Sequence, residues 1–258
     1  EQGRALTVEV ETTPDEAGYH WIKAWVEGDG FSADNEAGIG IFCEETATVL
    51  FGGTPEEFGV LPVALSPSGQ GQFTGMVVKF SLPGQLGQTA TKEKPILIVT
   101  TWSGMQSALA DSVWLRQYVE NGGNLLLVPS VRAGRRALSG KLPDWLGAGI
   151  KAREMHARGA GLEVLTEGTP FWNRIREATG NSKLESVSVY AFHPLALSAE
   201  FTPLLGIDFQ KVVITHKKLN KSNIYVSGTA FTSRWNTLPS SGLLVMIAQR
   251  IAVAGSSS

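Results

Sequence analysis

Residues 95–130 read PILIVTTWSGMQSALADSVWLRQYVENGGNLLLVPS, and this stretch decides the fold because it spells strand, helix and second strand of one parallel βαβ unit. Residues 96–100 are a largely β-branched run between Pro95 and Gly104, the composition of a strand buried on both faces. Asp111 is placed to cap the next helix, whose Trp114, Leu115, Tyr118 and Val119 fall on one face. Gly122-Gly123 stops that helix, since glycine takes the left-handed conformation at a helix C-terminus without a Cβ penalty. Residues 125–128 form the second buried strand and lead straight into Pro129-Ser130.

Open α/β sheets place their sites outside the carboxyl ends of the strands, which makes this junction the first place to look for chemistry. A nucleophile elbow needs Ser or Cys on a tight strand-to-helix turn flanked by small residues. Here the turn is Val128-Pro129-Ser130-Val131-Arg132, with proline and valine where glycines let such a turn close. Ser130 therefore reads as a loop or capping serine, and no catalytic residue is assigned.

The chain has 258 residues, 43% of them hydrophobic, enough for one large domain or two small ones with a real core. It begins with Glu1 rather than Met and ends in three serines, which leads us to expect a segment of a longer protein. No run reaches the length of a transmembrane helix; residues 242–254 come nearest, but Gln249-Arg250 interrupts them. Leu243, Leu244, Ile247 and Ile251 there form one face of a closing helix, with Ser240 or Ser241 as its N-cap.

The net charge of −2 hides a division: residues 1–62 carry 13 acidic side chains against Arg4 and Lys23, and the remainder 11 acidic against 20 basic. Such asymmetry fits two modules with different partners, two modules that face each other, or plain solvated surface on an acidic β module. Alternating patterns over 6–11, 20–27 and 39–44 predict three strands of a small β-sandwich fragment spanning residues 1–46, with Trp21 and Trp25 in its core.

An α/β domain over residues 47–258 follows. Val49, Leu50 and Phe51 form a short buried strand ending in Gly52-Gly53, and Thr54-Pro55-Glu56-Glu57-Phe58 is a helix start. Strand, glycines and helix suggest a phosphate site, but G-x-G-x-x-G and the Walker lysine are both missing. Residues 76–82 predict a second strand. Residues 132–158 read as an irregular basic loop, with seven basic residues against Asp144 and Glu154, and make Ser130, Arg132, Arg135 and Arg136 candidate ligand-binding residues. A short helix at 170–178 and strands at 187–192, 211–215 and 224–227 complete the pattern, the last two as an antiparallel hairpin at the end of the sheet.

His20, His156, His193 and His216 lie in no metal-ligand spacing, so neither metal nor cofactor is expected. Cys43, the single cysteine, sits in an alternating strand and reads as a structural thiol; it excludes an internal disulfide and a cysteine-based zinc site. Aromatic residues do not interleave the basic cluster, which argues against a single-stranded nucleic-acid platform.

The succession of a β module ending in Phe31-Ser32-Ala33-Asp34-Asn35, then Ala47-Thr48-Val49-Leu50-Phe51, the helix end Tyr118-Val119-Glu120-Asn121-Gly122-Gly123, and Trp235-Asn236-Thr237-Leu238-Pro239 resembles bacterial membrane proteins of the BatA or aerotolerance-regulator type. The resemblance implies an immunoglobulin-like β module and a flavodoxin-like domain of class I glutamine amidotransferase type, a mainly parallel sheet flanked by helices. It further implies a soluble, periplasmic part of a protein anchored in the membrane by segments outside this chain. No catalytic residue transfers, because the amidotransferase cysteine belongs where Pro129-Ser130 stands. The leading expectation is a non-catalytic binding or assembly module whose partners are other envelope or membrane proteins. The alternatives are a hydrolase that acts on an anionic or glycan substrate through residues 132–158, and a cytoplasmic nucleotide- or sugar-binding domain centred on Gly52-Gly53.

Overall fold

In the computed structural model the described residues are 18–25, 36–43, 46–68, 75–107, 113–132, 143–169, 171–173, 175, 186–208 and 211–253. The expected strand at 6–11, the cap at Asp111, and Arg135 and Arg136 lie outside them. The chain divides into two compact units, Glu1–Thr46 and Ala47–Ser258.

In the first unit, β1 (Gly18–Trp25) pairs antiparallel with β2 (Glu36–Cys43), Gly18 opposite Cys43 and Trp25 opposite Glu36. Trp21 and Trp25, expected in a core, are instead 70% and 67% exposed. The indole of Trp21 lies across Gly38 and Gly40 of β2, whose missing side chains leave it room. Alternation alone does not say which face of a ribbon is covered, and this is why the pattern misplaced these rings.

The second unit is built on an eight-stranded sheet. Its parallel half comprises β3 (Ala47–Gly52), β4 (Met76–Ser81), β5 (Leu97–Thr101) and β6 (Asn124–Val128), connected by α1 (Leu61–Leu65), α2 (Leu86–Glu93), α3 (Trp102–Ser107) and α4 (Val113–Glu120). The chain then makes β7 (Ala148–Ile150), β8 (Glu154–Gly161), β9 (Glu163–Val164), β10 (Ser188–Phe192) and β11 (Leu195–Leu197). It closes with β12 (Thr202–Ile207), β13 (Lys211–Leu219), β14 (Ser222–Ser227) and α5 (Leu243–Val253). The sheet order is β4-β3-β5-β6-β14-β13-β12-β9. The first five are mutually parallel; β14 to β13, β13 to β12 and β12 to β9 run antiparallel.

Numbered among themselves, the five parallel strands stand in the order 2-1-3-4-5, that of a flavodoxin-like doubly wound sheet. The helices cover both faces, as buried parallel strands require. Val49, Phe51, Val99, Leu126 and Val128 pack with α1, α5 and Trp172 on one face; Leu50, Ile98, Leu125, Leu127 and Val226 pack with α2, α3 and α4 on the other. On α4, Leu115 and Val119 are fully buried, and each such side chain contributes about 1.5–3 kcal/mol. No helix among the described residues is long and apolar enough to cross a membrane.

Two expectations are corrected. Residues 132–158 are not an irregular loop throughout: β7 pairs with β11 and β8 with β10, partners remote in sequence that supply the hydrogen bonds its local pattern does not announce. The hairpin of β13 and β14 does not end the sheet; β14 inserts beside β6, and the sheet continues through β12 and β9.

Candidate functional site

Because β3, β4, β5, β6 and β14 are parallel, their carboxyl ends share one rim: Gly52, Ser81, Thr101, Val128 and Ser227. The strand order reverses between β3 and β5, where doubly wound sheets open a crevice for ligands. Here protein fills much of it. Gly104 of α3 lies so close that an added Cβ would stand 3.0 Å from Thr100 Oγ1 and 3.3 Å from Thr101 Oγ1. Thr101 Oγ1 in turn accepts the Gly104 amide at 3.1 Å.

The turn after β3 shows why the phosphate reading fails. The Gly53 amide donates to Ser81 O at 2.9 Å, and the Thr54 amide to Glu57 Oε2 at 2.9 Å. A carboxylate of this chain thus holds the place an incoming phosphate would need. Glu56 beside it is kept below the usual carboxylate range, chiefly by a backbone hydrogen bond, with a smaller contribution from the charge of Arg132. Anionic ligands would meet two acidic side chains here.

This turn is also sewn to its neighbours. Val131 N donates to Glu57 O at 3.0 Å, and Val60 N to Phe231 O at 3.0 Å. Gly59, at φ 62°, approaches Phe231 so closely that a Cβ would lie 2.2 Å from its carbonyl oxygen. Only glycine satisfies both the left-handed backbone and that contact.

At the elbow position Ser130 is 3% exposed, and its Oγ accepts the Arg132 amide at 3.3 Å. That is a side-chain-to-backbone turn, the local bond that serine commonly forms in loops. Among the described residues Ser130 meets neither a histidine nor a carboxylate. Arg132 lies on the surface, 3.6 Å from Glu56 Oε2, with both side chains mostly exposed. The guanidinium of Arg153, between β7 and β8, lies over the Trp235 ring at 5.3 Å, and Arg158 is exposed on β8.

The rim's histidine is His193. Its amide donates to Gly228 O just beyond β14, and its Nδ1 donates to Lys151 O at 2.9 Å, since a carbonyl can only accept. The ring stands edge-on to Trp102 at 5.0 Å and tilted against Trp235 at 5.7 Å. Burial pushes its pKa down, the Lys151 carbonyl opposes that, and the charge of Arg153 adds to it. His216 on β13 is likewise pushed down by burial, against a 2.8 Å bond to Asn223 Oδ1.

These two rings make stability depend on pH with a definite sign. In the unfolded chain imidazole takes up its proton near pH 6.5; in the fold both rings resist it, so the unfolded state binds more protons as pH falls below about 6.5. Thermal midpoints should therefore drop between about pH 7.5 and 5.5, and a His193→Gln, His216→Gln variant should flatten that drop. A wild-type curve already flat across this range would show that neither imidazole is held neutral.

The most highly satisfied polar residue of the rim escaped sequence reasoning. Asn236, fully buried, donates from Nδ2 to Thr229 Oγ1 and Ala230 O, both at 2.9 Å, and accepts the Leu238 amide at 3.1 Å. Thr229 Oγ1 donates onward to Ala191 O at 3.0 Å. Asn236 thereby ties the segment after β14 to β10; its one sequence signal is the Trp235-Asn236-Thr237-Leu238-Pro239 motif. Among the described residues no group of His, Cys, Asp or Glu side chains is placed to hold a metal ion.

No protein-family model matches the chain, and no curated protein matches it in sequence. Solved structures do resemble it. The N-terminal domain of mmIFT52 is 10% identical over 81% of this chain and 98% of its own, with a TM-score of 0.49. A GMP synthase subunit from Thermoplasma acidophilum is 13% identical over 81% and 95%, TM-score 0.46. A glutamine amidotransferase from Thermotoga maritima is 10% identical over 72% and 75%, TM-score 0.37. At such similarities no activity is carried across, and the flavodoxin-like assignment rests on strand order and direction.

Proposed function

We propose that this chain is a non-catalytic binding or assembly module of a membrane-anchored bacterial envelope protein. In this reading an immunoglobulin-like β module is joined to a degenerate amidotransferase-like domain, the soluble part lies in the periplasm, and its partners are other envelope or membrane proteins. The observation that carries the non-catalytic part is the elbow: a buried Ser130 whose hydroxyl is occupied by the Arg132 amide, on a turn bonded to Glu57. A nucleophile needs a base within about 2.6–3.2 Å, and among the described residues no histidine or carboxylate bonds the Ser130 hydroxyl. The envelope setting rests on the sequence resemblance.

The test is enzymatic. Glutaminase and short-chain esterase assays on wild type and Ser130→Ala should both give the buffer rate. Turnover in the wild type that the substitution abolishes would overturn the proposal.

A further inference from the structure

Two buried donors on the carboxyl rim have no acceptor. Trp102, the first residue after β5, is wholly buried, yet its indole Nε1–H meets no partner, and the same holds for Gln106 Nε2. The two stand four positions apart on α3 and so share one helix face. Gly53 N and Asn236 on this rim are bonded, while Thr54 Oγ1 in the turn after β3 is a third buried atom without a partner.

Their surroundings carry charge of one sign. The His193 ring packs against both Trp102 and Trp235, and the Arg153 guanidinium lies over the Trp235 ring at 5.3 Å. Arg153 forms no ion pair among the described residues. Gln106 and Arg153 are half-buried, so the group reaches the surface, while the two donor nitrogens themselves are closed to solvent. His193 acts as a wall, its Nδ1 already committed to Lys151 O.

We infer that the rim binds a small carboxylate-bearing molecule, its oxygens accepting from Trp102 Nε1 and Gln106 Nε2 and its charge answered by Arg153. Two neutral donors and one cation suit a planar carboxylate; a phosphate dianion wants more charge or a backbone nest. The inference rests on the binding reading above and gives it a ligand class.

Succinate is the probe. In amide and indole NMR spectra of the whole chain at constant ionic strength, the Nε1–H resonance of Trp102, assigned by its disappearance in Trp102→Phe, should move saturably as succinate is added. Gln106→Leu and Arg153→Gln, each checked for an unchanged spectrum elsewhere, should weaken binding roughly tenfold or more, the effect of losing a bond to a charged group. No movement, an equal movement with sodium chloride, or a response to inorganic phosphate but not succinate would each overturn the inference. Succinate binding together with Ser130-dependent turnover would sink the non-catalytic reading and leave this one standing; absence of both would do the reverse.

Discussion

Phe51→Ala should lower the thermal midpoint by about 10 °C. Phe51 is fully buried near the carboxyl end of β3, edge-on to Phe58 at 4.8 Å and 5.3 Å from Phe80. Truncating a buried phenylalanine costs about 3–5 kcal/mol, the sum of lost transfer free energy and the cavity left behind. For a unit of this size each kcal/mol is worth about 2–4 °C. The cavity would open beneath Phe58, whose segment carries Glu57 and Gly59 to the rim, so the damage should reach the Val131 and Phe231 contacts as well. A midpoint within about 2 °C of wild type, measured by calorimetry, would mean that neighbouring side chains collapse into the space.

Gly228→Ala should be the second most damaging change, through the backbone alone. The Gly228 amide donates to Val213 O and its carbonyl accepts from His193 N, so strand end and β10 segment press together there. A Cβ would stand 2.4 Å from His193 O and 3.4 Å from Val213 O, both backbone atoms with no rotamer to yield. Overpacking of this kind costs about 1–3 kcal/mol or more. Hydrogen exchange should locate the effect: amides of residues 188–193 lose protection while those of β3 and β5 keep it. Uniform loss across the sheet would show that β10 and the central strands open as one unit rather than separately.

The parts of the fold legible from sequence are those whose own residues determine them. β3, β5 and β6 are continuous apolar runs because helices cover both sides, and Gly122-Gly123 closes α4 wherever that helix packs. β7 and β11 are three-residue strands that exist because Ile150 meets Leu195; neither pattern contains its partner. The insertion of β14 beside β6 is likewise a long-range choice between apolar strands of similar composition. At the site, Pro129 and Val131 announced the altered elbow, since backbone sterics are local. Asn236 and Trp102 stayed silent, because whether a polar atom is satisfied depends on groups brought in from distant segments.

The seam between β6 and β14 joins residues 99 positions apart, as Asn124 and Asn223 show where their side chains and backbone meet. On a ribosome, which delivers the chain from its N-terminal end, the Leu125-Leu126-Leu127-Val128 edge is therefore finished long before the strand that covers it has been synthesised. The nascent protein must carry an apolar, unpaired sheet edge through the making of β7 to β13, the kind of surface that recruits chaperones or misassembles with another copy. A late-arriving strand at the middle of the sheet makes the synthesis of residues 222–227 the step on which closure of the parallel half depends.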